Sequence, residues 1–288
     1  MSNIMKPINV ATMTPKYEIT AENARLSVVK GNSKIGKGIY AFSTLPGNEE
    51  HLLFITDKLT GEKQLLTDIP GTCSGHCEKC FNGGCYAVNS AKLHHNVVIN
   101  AWAGNTILLR SGKLFTELDE FLTKKNAKYY KTKNVEDQKV KTFRINVSGE
   151  IQDAAELKSW NDLAVKHPEI MFGVYTKNYE AVGEFIEAQP DKDTAPNFVI
   201  NISQWHGEAD AFLAKYPNKF NVFEYDDSNR KNCDLSDAEK ERLSHCARCP
   251  AVTKAGKHAK KPDGTPITCD GCTRCYQKQG WHTAVYAH

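Results

Sequence analysis

The 288-residue chain carries 37 Lys and Arg against 34 Asp and Glu, a net charge of +3, and 40% of its residues are hydrophobic. That apolar share excludes general disorder, while the near balance of charge offers no global argument for a nucleic-acid partner. No apolar run approaches the ~20 residues of a membrane helix, and Met1 to Lys16 lacks the apolar stretch of a secretory leader, so the expectation is a cytoplasmic protein with no membrane partner.

In chain order, residues 1–36 show no strong period and read as an N-terminal arm. Ile39 to Phe42 reads as a short strand. Leu52 to Thr56 and Lys63 to Leu66 flank Leu59-Thr60-Gly61-Glu62, a hairpin signal inside an insert over 48–70. Ala87 to Ile99 and Leu114 to Leu122 have helical spacing, and Lys124 to Lys141 is a polar, lysine-rich loop. A regular alternation follows. Strands are expected at Thr142–Val147, Ile170–Tyr175, Phe198–Ile202 and Phe220–Tyr225, with helices at Ala154–Val165, Tyr179–Ala188 and Ala209–Tyr216 between them. Such alternation implies parallel pairing through right-handed crossovers, hence an α/β fold with a partial, barrel-like parallel sheet over 37–232. Residues 233–288 read as a small Cys-rich metal-binding extension.

The chain has 10 cysteines, and they are not scattered as core residues would be. Four lie between Cys73 and Cys85 and six between Cys233 and Cys275, with none in the long stretch between. In a reducing compartment such clusters point to metal rather than to disulfides. Cys73-Ser-Gly-His-Cys77-Glu-Lys-Cys80 spells C-x3-C-x2-C. Three thiolates in one loop can each hold an iron of a [4Fe-4S] cube and leave the fourth iron open. Cys85, five residues on, leaves two alternatives: it replaces Cys80 as third ligand, or the site is a closed four-thiolate one. His76 and the pair His94-His95 read as exposed polar positions. In the second group, Cys246-Ala-Arg-Cys249 and Cys269-Asp-Gly-Cys272-Thr-Arg-Cys275 are spaced like paired zinc knuckles. With Cys233 they give two thiols beyond a four-cysteine zinc site, and the dense run resembles the C-terminal auxiliary [4Fe-4S] clusters of radical S-adenosylmethionine enzymes, so the expectation is a second [4Fe-4S] cluster or zinc. Lys254, Lys257, Lys260 and Lys261 between the knuckles form a loop able to meet phosphate.

The C-x3-C-x2-C spacing resembles that of the radical S-adenosylmethionine enzymes, in which S-adenosylmethionine chelates the open iron. The same resemblance extends to Asn146-Val-Ser148-Gly149-Glu150 after the Thr142 strand. It looks like the family's glycine-glycine-acid segment, with Ser148 in place of the first glycine. The resemblance implies that Gly149 and Glu150 bind the cofactor's amino group. In a barrel the site lies at the carboxyl ends of the strands. Asn146, Ser148, Thr176 and Ser203 stand there as further cofactor-binding candidates, beside Lys177, Asn201, Gln204, Glu224 and Asp226.

Several segments together also resemble the phage and mobile-element gene-eighty-eight family. They are Asn32 to Gly36, the Cys73–Cys85 run, Arg144 to Gly149, Gly173 to Lys177, Cys246 to Ala251, Cys269 to Cys275 and Ala284 to His288. This resemblance implies a phage or plasmid origin and the host cytoplasm, and supplies no reaction. The expected function is therefore a radical S-adenosylmethionine-type enzyme generating a 5′-deoxyadenosyl radical, with S-adenosylmethionine and an electron donor as partners. The alternative is a zinc- or cluster-stabilised regulatory protein that binds nucleic acid or another host or phage macromolecule.

Overall fold

The computed structural model describes residues 19–31, 35–56, 60–73, 80–81, 85–126, 139–205, 207–229 and 235–286. Residues 1–18 and 32–34 of the expected 1–36 arm, most of the Lys124–Lys141 loop, His76, Cys77 and Cys233 lie outside the described residues. The chain divides by contacts into two units. One comprises Met1–Ser27, Ser43–Glu117 and Val147–Glu150, the other Val28–Phe42, Leu118–Asn146 and Ile151–His288.

In the first unit, β3 (Phe54–Thr56) and β4 (Lys63–Leu65) pair antiparallel as the expected hairpin, with Phe54 opposite Leu65. The stretch read as one helix from Ala87 is two, α1 (Tyr86–Leu93) and α2 (His95–Arg110), because His94 leaves helical geometry at φ −123° and ψ 27°. These elements share a core of Leu45, Leu53, Leu66, Val88, Ala91, Ile99 and Ala103. Asn105, fully buried on α2, donates to the carbonyls of Ser27 (2.9 Å) and Ser43 (2.8 Å) and accepts from the Ser27 N–H. At the end of α2, Arg110 donates to the carbonyls of Pro70 and Gly71, both at 2.9 Å, and so fixes the chain leading into the first cysteine loop.

The second unit is built on an eight-stranded sheet. Its strands are β1 (Val28–Lys30), β2 (Ile39–Phe42), β5 (Thr142–Ile145), β6 (Met171–Thr176), β7 (Phe198–Gln204), β8 (Asn221–Asp226), β9 (Ala247–Arg248) and β10 (His282–Tyr286). The order is β1-β2-β5-β6-β7-β8-β10-β9. All neighbours pair parallel except β1 with β2. This is a mixed α/β architecture with a mostly parallel central sheet. Helix α3 (Leu114–Asn126) precedes β5 in the chain, and helices α4 (Ala154–Lys166), α5 (Tyr179–Ala188) and α6 (Asp210–Lys215) connect successive strands from β5 to β8. Each connection steps in the same direction along the sheet, and right-handed crossovers then place the helices on one face.

Side-chain alternation divides the strands accordingly. Phe143, Phe172 and Phe198 stand in register on the helix-covered face. There Trp160 of α4 packs 5.6 Å from Phe42 and 6.0 Å from Phe143, between ring centroids. Asp153 caps α4 by accepting from the Glu156 N–H, and the Glu156 carboxylate accepts in turn from the Gln152 N–H and from Trp160 Nε1. The opposite face carries Arg144, Gly173, Tyr175, Asn201 and Phe223.

The C-terminal part returns to this sheet instead of forming a separate extension. After α7 (Asp237–Ser244), whose Ser236 and Glu239 form a reciprocal cap, β9 supplies one edge. β10 inserts between β8 and β9, pairing His282–Tyr286 with Val222–Asp226. The helical turn α8 (Cys269–Cys272) and a 3-10 turn, Arg274–Tyr276, lie between them in sequence. Among the described residues no helix is long and apolar enough to cross a membrane.

Candidate functional site

The cysteines fall into two groups, one in each unit. In the first, Cys73 is tied down at both backbone and sulfur. Its N–H donates to the Gly47 carbonyl at 2.9 Å, and the Gly47 N–H points back at Cys73 Sγ at 3.4 Å. Glycine is required at 47, where φ is +89° and a Cβ would fall 2.1 Å from the His51 carbonyl oxygen.

The residue before Cys73 makes the decisive contact. Thr72 is buried, and its hydroxyl lies 2.8 Å from that of Thr44 and accepts from the Glu150 N–H at 2.9 Å. The Thr44 N–H donates to the Ser148 carbonyl at 3.0 Å. Gly149 has φ +83°, and a Cβ there would lie 1.9 Å from Thr44 Oγ1 and 2.6 Å from Thr72 Oγ1. The Ser148-Gly149-Glu150 turn is thus clamped by two threonines against the start of the first cysteine loop. Thr44 and Thr72 were not among the sequence candidates. Only the position of Thr72 beside Cys73 could have signalled it.

Three candidates carry buried polar atoms without a hydrogen-bond partner among the described residues, an unusual state for buried groups. These are Ser148 Oγ and, in the other unit, Gln204 Oε1 and both amide atoms of Asn146, which is 5% exposed and has φ +49°. Cys80 is half-buried. Cys85 precedes α1, and its side chain packs against the apolar core of the first unit. Thr176 and Ser203 do not share a face. Thr176 stands in register with Ile202, one residue before Ser203, and alternation turns the two side chains to opposite sides of the sheet. Thr176 is fully buried and accepts from the Asn178 N–H at 2.9 Å, while the Ser203 carbonyl accepts from the Tyr179 hydroxyl.

In the second unit, the six-cysteine group resolves into different environments. Cys246 is buried beside Leu243 and Ala284, and its thiol donates to the Arg242 carbonyl at 3.5 Å. Burial, then the neighbouring Glu224 carboxylate, pushes this thiol up to about 11. Arg242 donates to Glu224 at 2.7 Å, and Arg248 pairs with the fully buried Asp226. Burial acts to raise the Asp226 carboxyl, but hydrogen bonds from Ser228 and the Arg248 guanidinium outweigh it and leave it below the ordinary range. Cys246 therefore belongs to a packed charge network that holds α7 and β9 to the sheet.

Cys249, Cys269, Cys272 and Cys275 instead interact with one another. Burial raises Cys275, and Cys249 and Cys272 add to it. Cys269 is pushed up to about 11, first by burial and then by the other three thiols, with Arg144 opposing. Cys249 is raised by burial, while the N–H groups of Ala251 and Val252 and the Arg274 guanidinium favour its thiolate. Arg144 and Arg274 were missed by sequence reasoning. A lone charge in the strand Phe143-Arg144-Ile145 was the available signal.

Among the described residues no three His, Cys, Asp or Glu side chains form a group already drawn together around a metal ion. No curated protein and no solved structure matches the chain. The family model described as Gene product 88 matches residues 22–278, and the chain belongs to that family.

Proposed function

We propose that this gene product 88 protein is a radical S-adenosylmethionine-type iron–sulfur enzyme. In this reading Cys73, Cys77 and Cys80 hold a [4Fe-4S] cluster with one open iron, in a partial-barrel setting. The observation that carries the reading is the Thr72 clamp. It holds the Ser148-Gly149-Glu150 turn against the residue preceding Cys73, although 75 positions separate Cys73 from Ser148 in the chain (148 − 73). Cysteine loop and glycine-acid turn must be neighbours if one ligand is to touch both.

The residues present fit the group. Cys73 receives an N–H at its sulfur, the glycine turn is held rigid, and Ser148 offers an unsatisfied buried hydroxyl. Glu150 supplies a carboxylate for the cofactor's ammonium, and such charge-assisted pairs are roughly twice as strong as neutral ones. The two threonines fix the turn, so little ordering remains when the cofactor arrives. When bound and reduced by an external one-electron donor, the cluster would supply the electron that cleaves the C5′–S bond, giving methionine and a 5′-deoxyadenosyl radical. Cys85, packed in the core, is left outside the ligand set.

The non-catalytic alternative draws on Lys254, Lys257, Lys260 and Lys261, all four exposed on the loop over 252–266. It requires zinc or an inert cluster and no chemistry. Metal analysis after anaerobic purification separates the readings. The enzyme reading expects brown protein with iron and acid-labile sulfide, and about four iron per chain lost in Cys73→Ser. Colourless protein holding zinc and neither iron nor sulfide overturns it.

A further inference from the structure

We propose that the arm over 252–266 is a phosphate-tracking surface for double-stranded DNA. The inference goes beyond the radical reading and does not rest on it, since the arm lies wholly in the second unit and contains no cysteine.

Backbone pairing, not a core, builds this arm. Three short segments run side by side, with antiparallel bridges between Val252 and His258 and between Lys260 and Pro266. The middle segment is held from both sides. Its Ala259 N–H donates to the Ala251 carbonyl at 3.0 Å, and the Ala259 carbonyl accepts from the Ile267 N–H at 2.9 Å. Both turns are closed locally. The Thr253 N–H donates to the Lys257 carbonyl at 2.9 Å and the Lys261 N–H to the Thr265 carbonyl at 2.8 Å, with Gly256 and Gly264 supplying the left-handed residues at φ +69° and +83°. The result is a small β-ribbon whose backbone is placed before any partner arrives, so less ordering remains on binding.

The ribbon concentrates unpaired positive charge. Lys254, Lys257, Lys260 and Lys261 are exposed, with exposed His258 among them. None of these four lysines meets a carboxylate among the described residues, whereas Lys124, Lys158, Lys166, Lys192 and Lys240 each lie within 3.3 Å of one. Asp263 is the one acid between Glu241 and Asp270, and its carboxylate is committed to the Thr265 N–H at 2.9 Å and the Thr265 hydroxyl at 2.6 Å. With a net charge of +3 on the whole chain, the row of four is a local feature that an anionic surface would meet first.

Composition selects the anion. No Phe, Tyr or Trp stands between Tyr225 and Tyr276, so the arm offers no platform for the unstacked bases of a single strand. Its exposed positions carry no large apolar side chain to enter a lipid surface. A β-ribbon fits the major groove of B-form DNA, about 12 Å wide, while the deep, narrow major groove of A-form RNA does not admit it. Lysine meets phosphate as a compact point charge and reads no base edge, so the binding is independent of sequence.

Fluorescence anisotropy of the full chain with a labelled duplex of about 20 base pairs tests the proposal. Four phosphates neutralised predict a slope of log affinity against log salt near −3.6, hence affinity roughly 100-fold weaker at about 200 mM than at about 50 mM salt. Replacing all four lysines with Gln is expected to lower affinity at the lower salt at least roughly tenfold and to flatten the slope, while Tm stays unchanged because the side chains are exposed. Arginine at all four positions keeps both affinity and slope. Each single variant, Lys254→Gln, Lys257→Gln, Lys260→Gln or Lys261→Gln, lessens the slope by about one, which carries the test if the fourfold variant does not fold. Cys77→Ser, expected to lose the N-terminal cluster, keeps its duplex affinity, so failure of the radical reading and failure of this proposal are told apart. Unchanged duplex affinity in the fourfold Gln variant overturns the proposal, as does no duplex binding by the unsubstituted chain at the lower salt. Tighter binding to single-stranded DNA, to duplex RNA or to phosphatidylserine vesicles than to duplex DNA overturns it as well.

Discussion

Cys77→Ser is expected to abolish both the N-terminal cluster and S-adenosylmethionine cleavage, whereas Cys85→Ser retains both. Ligand count is the reason. Three thiolates leave one iron accessible to the cofactor's amino and carboxylate groups, and a fourth closes the cube. Cys85 caps the start of α1 and packs with Val88, Ala91 and their neighbours, so serine there places a hydroxyl where a small apolar group sat. That exchange costs on the order of 1–2 kcal/mol of stability without touching the cluster. Iron and sulfide analysis with a cleavage assay on both variants checks the prediction. If Cys85→Ser loses the cluster as completely as Cys77→Ser, then Cys85 is a ligand and the site is either shifted or closed.

Gly149→Ala carries the second large effect, because two penalties coincide. The backbone there has φ +83°, costly for any residue with a Cβ, and the added methyl would stand 1.9 Å from Thr44 Oγ1. Left-handed strain of about 1 kcal/mol and overpacking of about 1–3 kcal/mol predict a loss of roughly 2–4 kcal/mol. In a chain of this size that lowers Tm by roughly 5–10 °C. The turn must also move off Thr72, carrying the Glu150 carboxylate with it, and a displacement near 1 Å costs about 100-fold in rate. Thermal unfolding and the cleavage assay read the two consequences separately. A folded Gly149→Ala protein with unchanged Tm and unchanged cleavage would show that the turn neither packs nor works as described.

The fold was legible wherever a local period coincided with burial. The strands from Thr142 to Asp226 and their helices lie close to where alternation put them, because the strands are largely buried and α4 and α5 each bury one stripe. The C-terminal strands were not legible. β9 has two residues, and β10, His282–Tyr286, pairs with β8 60 positions earlier (His282 with Val222), so only tertiary contact defines them. The cap of α7 is readable in Ser236-Asp-Ala-Glu239, where a serine stands three residues before a glutamate. The threonines that hold the Ser148-Gly149-Glu150 turn beside Cys73 were not legible, since neither Thr44 nor Thr72 belongs to a spaced pattern. In the second cysteine group the spacing did not foretell the surroundings of each thiol. Spacing paired Cys246 with Cys249, yet the turn into β9 buries one beside Glu224 and leaves the other with Cys272 and Cys275. Spacing counts residues along the chain, whereas side-chain direction follows from backbone geometry that two intervening residues do not fix.

Anaerobic incubation of the reconstituted full-length protein with dithionite and S-adenosylmethionine, followed by mass spectrometry for 5′-deoxyadenosine, tests the central claim most directly. The account predicts 5′-deoxyadenosine and methionine formed only when reductant and cluster are both present, and sharply less of each with Glu150→Gln. Protein fully loaded with iron and sulfide that forms no 5′-deoxyadenosine, and whose reduced cluster gives the same electron paramagnetic resonance signal with and without S-adenosylmethionine, would contradict it.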